Sequence, residues 1–211
     1  LAIGTAPAVP ADTAQPPGPR ERPRRGALRL AEEMARFVAK PHGGAFVLAA
    51  DPVVACGRRA LGKAEHVAEA RKFLTLLSGR RHRVYGGMCL IAPDGTTRSR
   101  VIETQVTFRT LGEDDLNRYL SHDEWQGKAG AYAIPGYGAT FVKAISGSYS
   151  NGGGLTRCEG DGQQRGLGHT PKAGVSGQLE APIKAAASGT TTRSRDGWTG
   201  ADSTACSDQE S

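Results

Sequence analysis

The chain has 211 residues, 38% of them hydrophobic, and no apolar run near the length of a bilayer span, so one ordinary globular core is expected and a helical membrane protein is excluded. Its four cysteines, Cys56, Cys89, Cys158 and Cys206, form no C-x-x-C pair and no Cys/His cluster, which argues against a zinc site or a disulfide framework and for a reducing, cytoplasmic setting. The net charge of +6 belongs to the first part, where residues 1–150 carry 21 Lys and Arg against 14 Asp and Glu, while residues 151–211 carry 6 against 7. Such an excess favours an anionic partner without choosing among nucleotide, nucleic acid and acidic surface.

A Pro-rich opening, TAPAVPADTAQPPGPRERP, precedes the first periodic segment. From Arg25 to Lys40, Leu28, Ala31, Met34, Phe37 and Val38 recur on one helical face, which predicts an amphipathic helix. Phe46 to Ala50 reads as a buried strand, with Asp51 marking the point where the chain leaves the core. His66 to Leu77 repeats Val67, Ala70, Phe73, Leu74 and Leu77 at helical spacing and is stopped by Ser78 and Gly79. Two extended segments, His82 to Ala92 and Arg98 to Arg109, flank PDGTT, whose Asp94 and Gly95 signal a hairpin. A helix over Glu113 to Leu120, the polar loop SHDEWQGKAG and a last strand and turn within Ala131 to Ile145 complete the pattern before GSYSN. Beyond Asn151 there are twelve glycines and few large apolar side chains, so little fixed structure is expected from about Lys172 onward. Trp125, in a polar loop, is expected to cover part of a pocket.

Ligand sites of α/β proteins lie where strands leave the sheet, and Asp51, followed by Arg58, Arg59 and Lys63, stands at such a place. From the residues alone Asp51 fits a turn or helix cap as well as a catalytic carboxylate, and the arginines fit solvated loop charges. GSYSN fits a plain turn as well as a phosphate contact. The cluster RERPRR lacks the aromatic interleaving of a strand-binding surface, which argues against nucleic acid.

Three segments, LAADPVVACGRRALGK, ETQVTFRTL and EWQGKAGAYAIPGYGATFVKAISGSYSN, together resemble the Maf family of nucleoside triphosphate pyrophosphatases, once described as septum formation inhibitors. The resemblance runs from about Ile3 to Asn151, and its last segment is the most specific. It implies an α/β fold, a mixed sheet with flanking helices in two lobes around a nucleotide cleft. The implied reaction is hydrolysis of a nucleoside triphosphate to the monophosphate and pyrophosphate with a divalent metal cation, Mg or Mn. By the same resemblance Asp51 is the proton acceptor and Lys63 and Lys128 contact phosphate; judged against that chemistry, Asp51 is also the right type to hold the metal and Arg58 the right type to bind substrate. The implied partners are the nucleoside triphosphate and a second copy in a homodimer, with no nucleic acid and no membrane.

The sequence also departs from the family pattern. The family's Ser-Ala-Ser-Pro-Arg-Arg opening is not present, so an incomplete N-terminus is expected. Ala14 and Gln15 replace an acidic pair, and Met34 replaces a lysine of the first helix. Pro52 stands for the threonine after the catalytic aspartate and Pro135 for a glutamine, so both specificity positions lose hydrogen-bonding groups. The KAGAYAI context is similar to the branch acting on dTTP and UTP. Residues 1–171 are expected to form the pyrophosphatase domain, degenerate after 151, and residues 172–211 an unrelated disordered tail. The alternative is a catalytically impaired remnant or a nucleotide-binding module of the same fold.

Overall fold

The computed structural model describes residues 8–10, 21–42, 44–153 and 183–187. Chain order gives β1 (Ala8–Pro10), α1 (Pro23–Ala39), β2 (Phe46–Cys56), β3 (Arg59–Leu61), α2 (Val67–Leu77), β4 (Arg81–Ile91), β5 (Thr97–Phe108), α3 (Glu113–Leu120), β6 (Val142–Ser146) and β7 (Ile183–Ala187), with 3-10 turns at Asp123–Trp125, Tyr137–Phe141 and Tyr149–Gly153. The strands form one mixed sheet in the order β1-β7-β2-β4-β5-β6, with β3 hairpinned onto β2. The pairs β1–β7 and β7–β2 are parallel and the others antiparallel. The expected α/β class with a mixed sheet is what the chain forms.

Local chemistry accounts for the helices. Proline at the first position of α1 needs no donor partner, and the ion pairs Arg29–Glu33 at 2.9 Å and Arg36–Glu32 at 3.1 Å run along its exposed side. The imidazole of His66 caps α2 by accepting from the Glu69 N–H at 3.1 Å, and Gly79, at φ +67°, ends it. At the start of α3 the Asp115 carboxylate accepts from the Gly112 N–H at 3.0 Å and is held on its other side by Arg109 at 2.7 and 2.9 Å. The Asp94–Gly95 turn closes the long β4–β5 hairpin with Gly95 at φ +84°.

Two expectations are corrected. The strand expected to end at Ala50 continues to Cys56, so Asp51 lies in its middle, paired with Gly87 of β4. The β-branched and apolar run VVAC resumes the strand after Asp-Pro, and Pro52 is tolerated because among the described residues no strand pairs with that flank of β2 there. Pairing with β7 stops at Ala50 and pairing with β3 begins at Val54. Trp125, expected to cover part of a pocket, is only 5% exposed and instead joins the aromatic core, because the 3-10 turn Asp123–Trp125 points the loop's one large apolar group inward. β7 falls within the segment expected to lack fixed structure; the rest of that segment lies outside the described residues.

Strand periodicity sorts the core into two faces. Val47 and Ala49 of β2 with Cys89 and Ile91 of β4 pack under Ala31, Met34, Ala35 and Val38 of α1, and Val53 packs with Ala27 and Leu30. The opposite face carries Val54, Val84, Val106 and Phe108 against α2, α3 and the aromatic residues Tyr119, Trp125, Tyr132 and Phe141.

Candidate functional site

Asp51 lies between Ala49 and Val53 on the side of the sheet that faces α1, and it is 9% exposed. The helix comes unusually close there. A Cβ on Gly87, the cross-strand partner of Asp51, would fall 1.9 Å from the Ala27 carbonyl oxygen and 3.2 Å from the Ala31 Cβ. Glycine at 87 and alanines at 27 and 31 therefore seat α1 directly over the aspartate's position. Gly86 next to it meets the other face, where its Cβ would overlap the Asn151 amide. Asn151 is fully buried and donates to the carbonyls of Val84 at 3.0 Å and Ile102 at 3.2 Å. GSYSN thus ends in a structural asparagine seated on the sheet. Pro52, opposite Gly86, lies on that face, away from Asp51.

The two lysines are brought together by backbone pairing. β3 runs antiparallel to β2 with Leu61 opposite Val54, so the chain past Leu61 heads back along β2 toward Asp51. Lys63, two residues on, forms a bridge with Ala129, and the Gly130 N–H donates to the Gly62 carbonyl at 2.9 Å. Lys63, exposed, and Lys128, half-buried, therefore sit on adjacent antiparallel segments. Gly130, at φ +70°, packs so tightly on Val54 that a Cβ would lie 2.9 Å from its Cγ1. A side chain there would push the Lys128 segment off β2. Ala131 is left-handed as well, at φ +62°, a conformation that non-glycine residues rarely hold without support.

Arg58 is placed elsewhere. It occupies the turn beyond Cys56, roughly 16 Å along the strand from Asp51 at about 3.3 Å per residue, farther than its side chain can reach. Pro135 is exposed in the loop before Gly136, and the Glu124 carboxylate fixes that loop by accepting from the Tyr137 N–H at 2.8 Å. A groove of about 950 Å³ runs along α2, lined by Arg59, Arg71, Lys72 and Arg80 with Val67 and Leu76, and does not include Asp51.

The sequence reading missed the residues that support this site. The adjacent glycines 86 and 87 inside a strand were the available signal, since glycine in a strand interior marks a close approach. His82 and Tyr132 carried no signal of their own, being separated by 50 residues, yet His82 Nε2 and the Tyr132 hydroxyl meet at 2.7 Å in the core. Burial lowers the His82 pKa to about 4, so the ring is neutral over most of the pH range, and burial raises the Tyr132 phenol.

Among the described residues no group of three or more His, Cys, Asp or Glu side chains is arranged to hold a metal ion. A protein-only cage is therefore absent from that part of the chain. Mg²⁺ is ordinarily held by one or two carboxylates together with substrate phosphates, and the single buried carboxylate of Asp51 fits that shared mode. No helix among the described residues is long and apolar enough to cross a membrane.

The profile of the family described as "Maf-like protein" matches residues 2–159. The chain is 53% identical over 162 residues to a dTTP/UTP pyrophosphatase of Paramagnetospirillum magneticum, covering 77% of this chain and 85% of that protein. It is 51% identical over 148 residues to a protein of the same name from Rhodopseudomonas palustris, covering 67% and 72%. A third, from Caulobacter vibrioides, is 47% identical over 162 residues, covering 77% and 84%.

Proposed function

The chain belongs to the Maf family, and from that premise we propose that it hydrolyses dTTP, UTP or related modified nucleotides to the monophosphate and pyrophosphate. The observation that carries this reading is the backbone ladder that sets Lys63 beside the Lys128–Gly130 segment, on the chain that turns back along β2 toward Asp51. Two cations on neighbouring segments suit the triphosphate, and a carboxylate under α1 suits the attacking water.

In the proposed reaction water adds to the α-phosphorus, and the bond to the oxygen bridging the α- and β-phosphorus breaks. The water proton passes to the Asp51 carboxylate and pyrophosphate departs. Lys63 and Lys128 hold the phosphate oxygens and neutralise their charge in the bound substrate and in the transition state alike. Asp51 is the residue that would hold a divalent cation, Mg²⁺ or Mn²⁺, which would supply Lewis-acid polarisation when bound with the substrate. Arg58, in its remote turn, adds to the general attraction for anions rather than to the reacting phosphate. Pro52 and Pro135 offer a base neither a side-chain hydrogen bond nor a backbone N–H, so discrimination rests on shape and on other backbone groups. A cytoplasmic homodimer acting on free nucleotide, with neither nucleic acid nor membrane as partner, completes the reading.

Pyrophosphate release from a panel of nucleoside triphosphates, with magnesium, with manganese and with chelator, tests it. Metal-dependent release from dTTP and UTP is expected. Silence across the panel, with nucleotide binding retained in calorimetry, would leave the nucleotide-binding module of the same fold as the correct reading.

A further inference from the structure

We infer that the buried Tyr132–His82 hydrogen bond is a positioning device for Lys128, locking the strained turn that presents this lysine beside Lys63. The inference rests on the proposed function for what Lys128 contacts, and on the structure for how it is held.

Lys128 opens a tight turn, since the Ala131 N–H donates back to the Lys128 carbonyl at 3.0 Å. On its outer side the turn is tied to the Lys63 segment by the bridge to Ala129 and the Gly130–Gly62 bond. The next two residues, Gly130 and Ala131, are both left-handed, and Ala131 carries a Cβ that disfavours this geometry. A strained residue persists only where its surroundings over-determine it. The residue immediately following supplies that constraint. Tyr132 is 6% exposed, its ring meets Phe108 edge-to-face at 4.8 Å and His82 at 5.4 Å, and its hydroxyl ends on His82 Nε2 at 2.7 Å. His82, 1% exposed, is itself fixed in β4 opposite Val106. The path from sheet to lysine is therefore short: β4 holds His82, His82 holds the Tyr132 hydroxyl, and Tyr132 holds the left-handed pair that aims Lys128.

Neither ring touches the candidate site directly, so both are positioning residues. Tyr132→Phe removes only the hydroxyl and keeps the edge-to-face packing; His82→Leu breaks the same bond from the other end. Both variants are expected to raise the KM for dTTP about tenfold with kcat within twofold, because a phosphate contact acts in the ground and transition states alike. A loss of general stability would do the same in any background, so the deciding measurement is a double-mutant cycle. In Lys128→Ala, Tyr132→Phe should have no further effect on KM. Additive effects in the cycle would overturn the inference. Amide exchange gives a readout free of turnover: in Tyr132→Phe the Gly130 and Ala131 amides should exchange faster, while those of β5 keep their wild-type rates. Unchanged exchange at Gly130 and Ala131 would show that the bond locks nothing and would overturn the inference by itself. If the wild type binds nucleotide without turning it over, the proposed reaction fails while the inference is decided by the exchange arm and by the same cycle read as Kd in calorimetry; additive effects on Kd or unchanged exchange would overturn it.

Discussion

Beneath α1 small groups interrupt the branched ones of the sheet, Ala49, Gly87 and Cys89 meeting Ala27, Ala31 and Ala35, whereas its other face carries His82 and Phe108 against Tyr119, Tyr132 and Phe141. On the first face the layers approach until backbone touches backbone, and the buried polar group is one carboxylate, Asp51. On the second, bulky rings hold the layers apart and bring polar atoms into the core that need partners. The difference assigns the two faces separate work: one sets the position of a helix over a carboxylate, the other fixes loops through hydrogen bonds.

The sharpest way to separate the faces is to change the charge on the first without changing its shape. Asp51→Asn is expected to lower kcat by about 10²- to 10⁴-fold, the usual worth of a positioned base, with nucleotide binding retained in calorimetry. Full activity in this variant would return Asp51 to a structural role and place the base elsewhere.

Filling the close approach comes next. Gly87→Ala puts a methyl group 1.9 Å from a backbone oxygen that no side-chain rotation can clear, so the cost should reach the upper end of overpacking, about 3 kcal/mol. The shift of the denaturant midpoint checks it. The aromatic face should instead respond to acid. The pKa of His82 falls from 6.5 in the unfolded chain to about 4 in the fold because burial disfavours the cation. Between these values the unfolded chain binds more protons, so stability is fully present above pH 6.5 and lost as pH falls toward 4, by roughly 3 kcal/mol at the limit. His82→Leu should flatten that window in a pH series of melts. Asp115, held well below the ordinary carboxylate range by Arg109, contributes its share above its usual value of 3.8 and loses it only at more acid pH, so the two losses occur in succession. The smallest effect belongs to neither face. The Arg71–Glu113 pair, whose glutamate side chain is 81% exposed, joins α2 to α3 at the surface, and Glu113→Gln should move stability by less than about 0.5 kcal/mol.

Helix α3, the body of α2 and the β4–β5 hairpin were legible in the sequence because their signals are local: apolar spacing, caps and an Asp-Gly turn. The class of fold and the two lysine segments followed from the resemblance. Asp51 in mid-strand was not legible, since an acidic residue before proline reads as an exit, while the apolar run VVAC that resumes the strand lies beyond it. Trp125 was misread for a related reason, as its polar neighbours hide the turn that directs it inward. The meeting of His82 with Tyr132 depends on tertiary packing across 50 residues, and no spacing within one element could announce it.

The neighbouring glycines of β4 carry a consequence for how this sequence can vary. Strands are ordinarily recognised by what they carry, branched or aromatic groups in alternation, and glycine weakens them. At 86 and 87 two successive positions are defined by emptiness, each toward a different layer, one occupied by the Asn151 amide and the other by the backbone of α1. In a library randomised across Arg81–Ile91, the outward positions 81 and 83 should accept many residues and the buried positions a few apolar ones. Positions 86 and 87 should return glycine alone, so the least informative-looking pair in the strand would be its most restrictive codons.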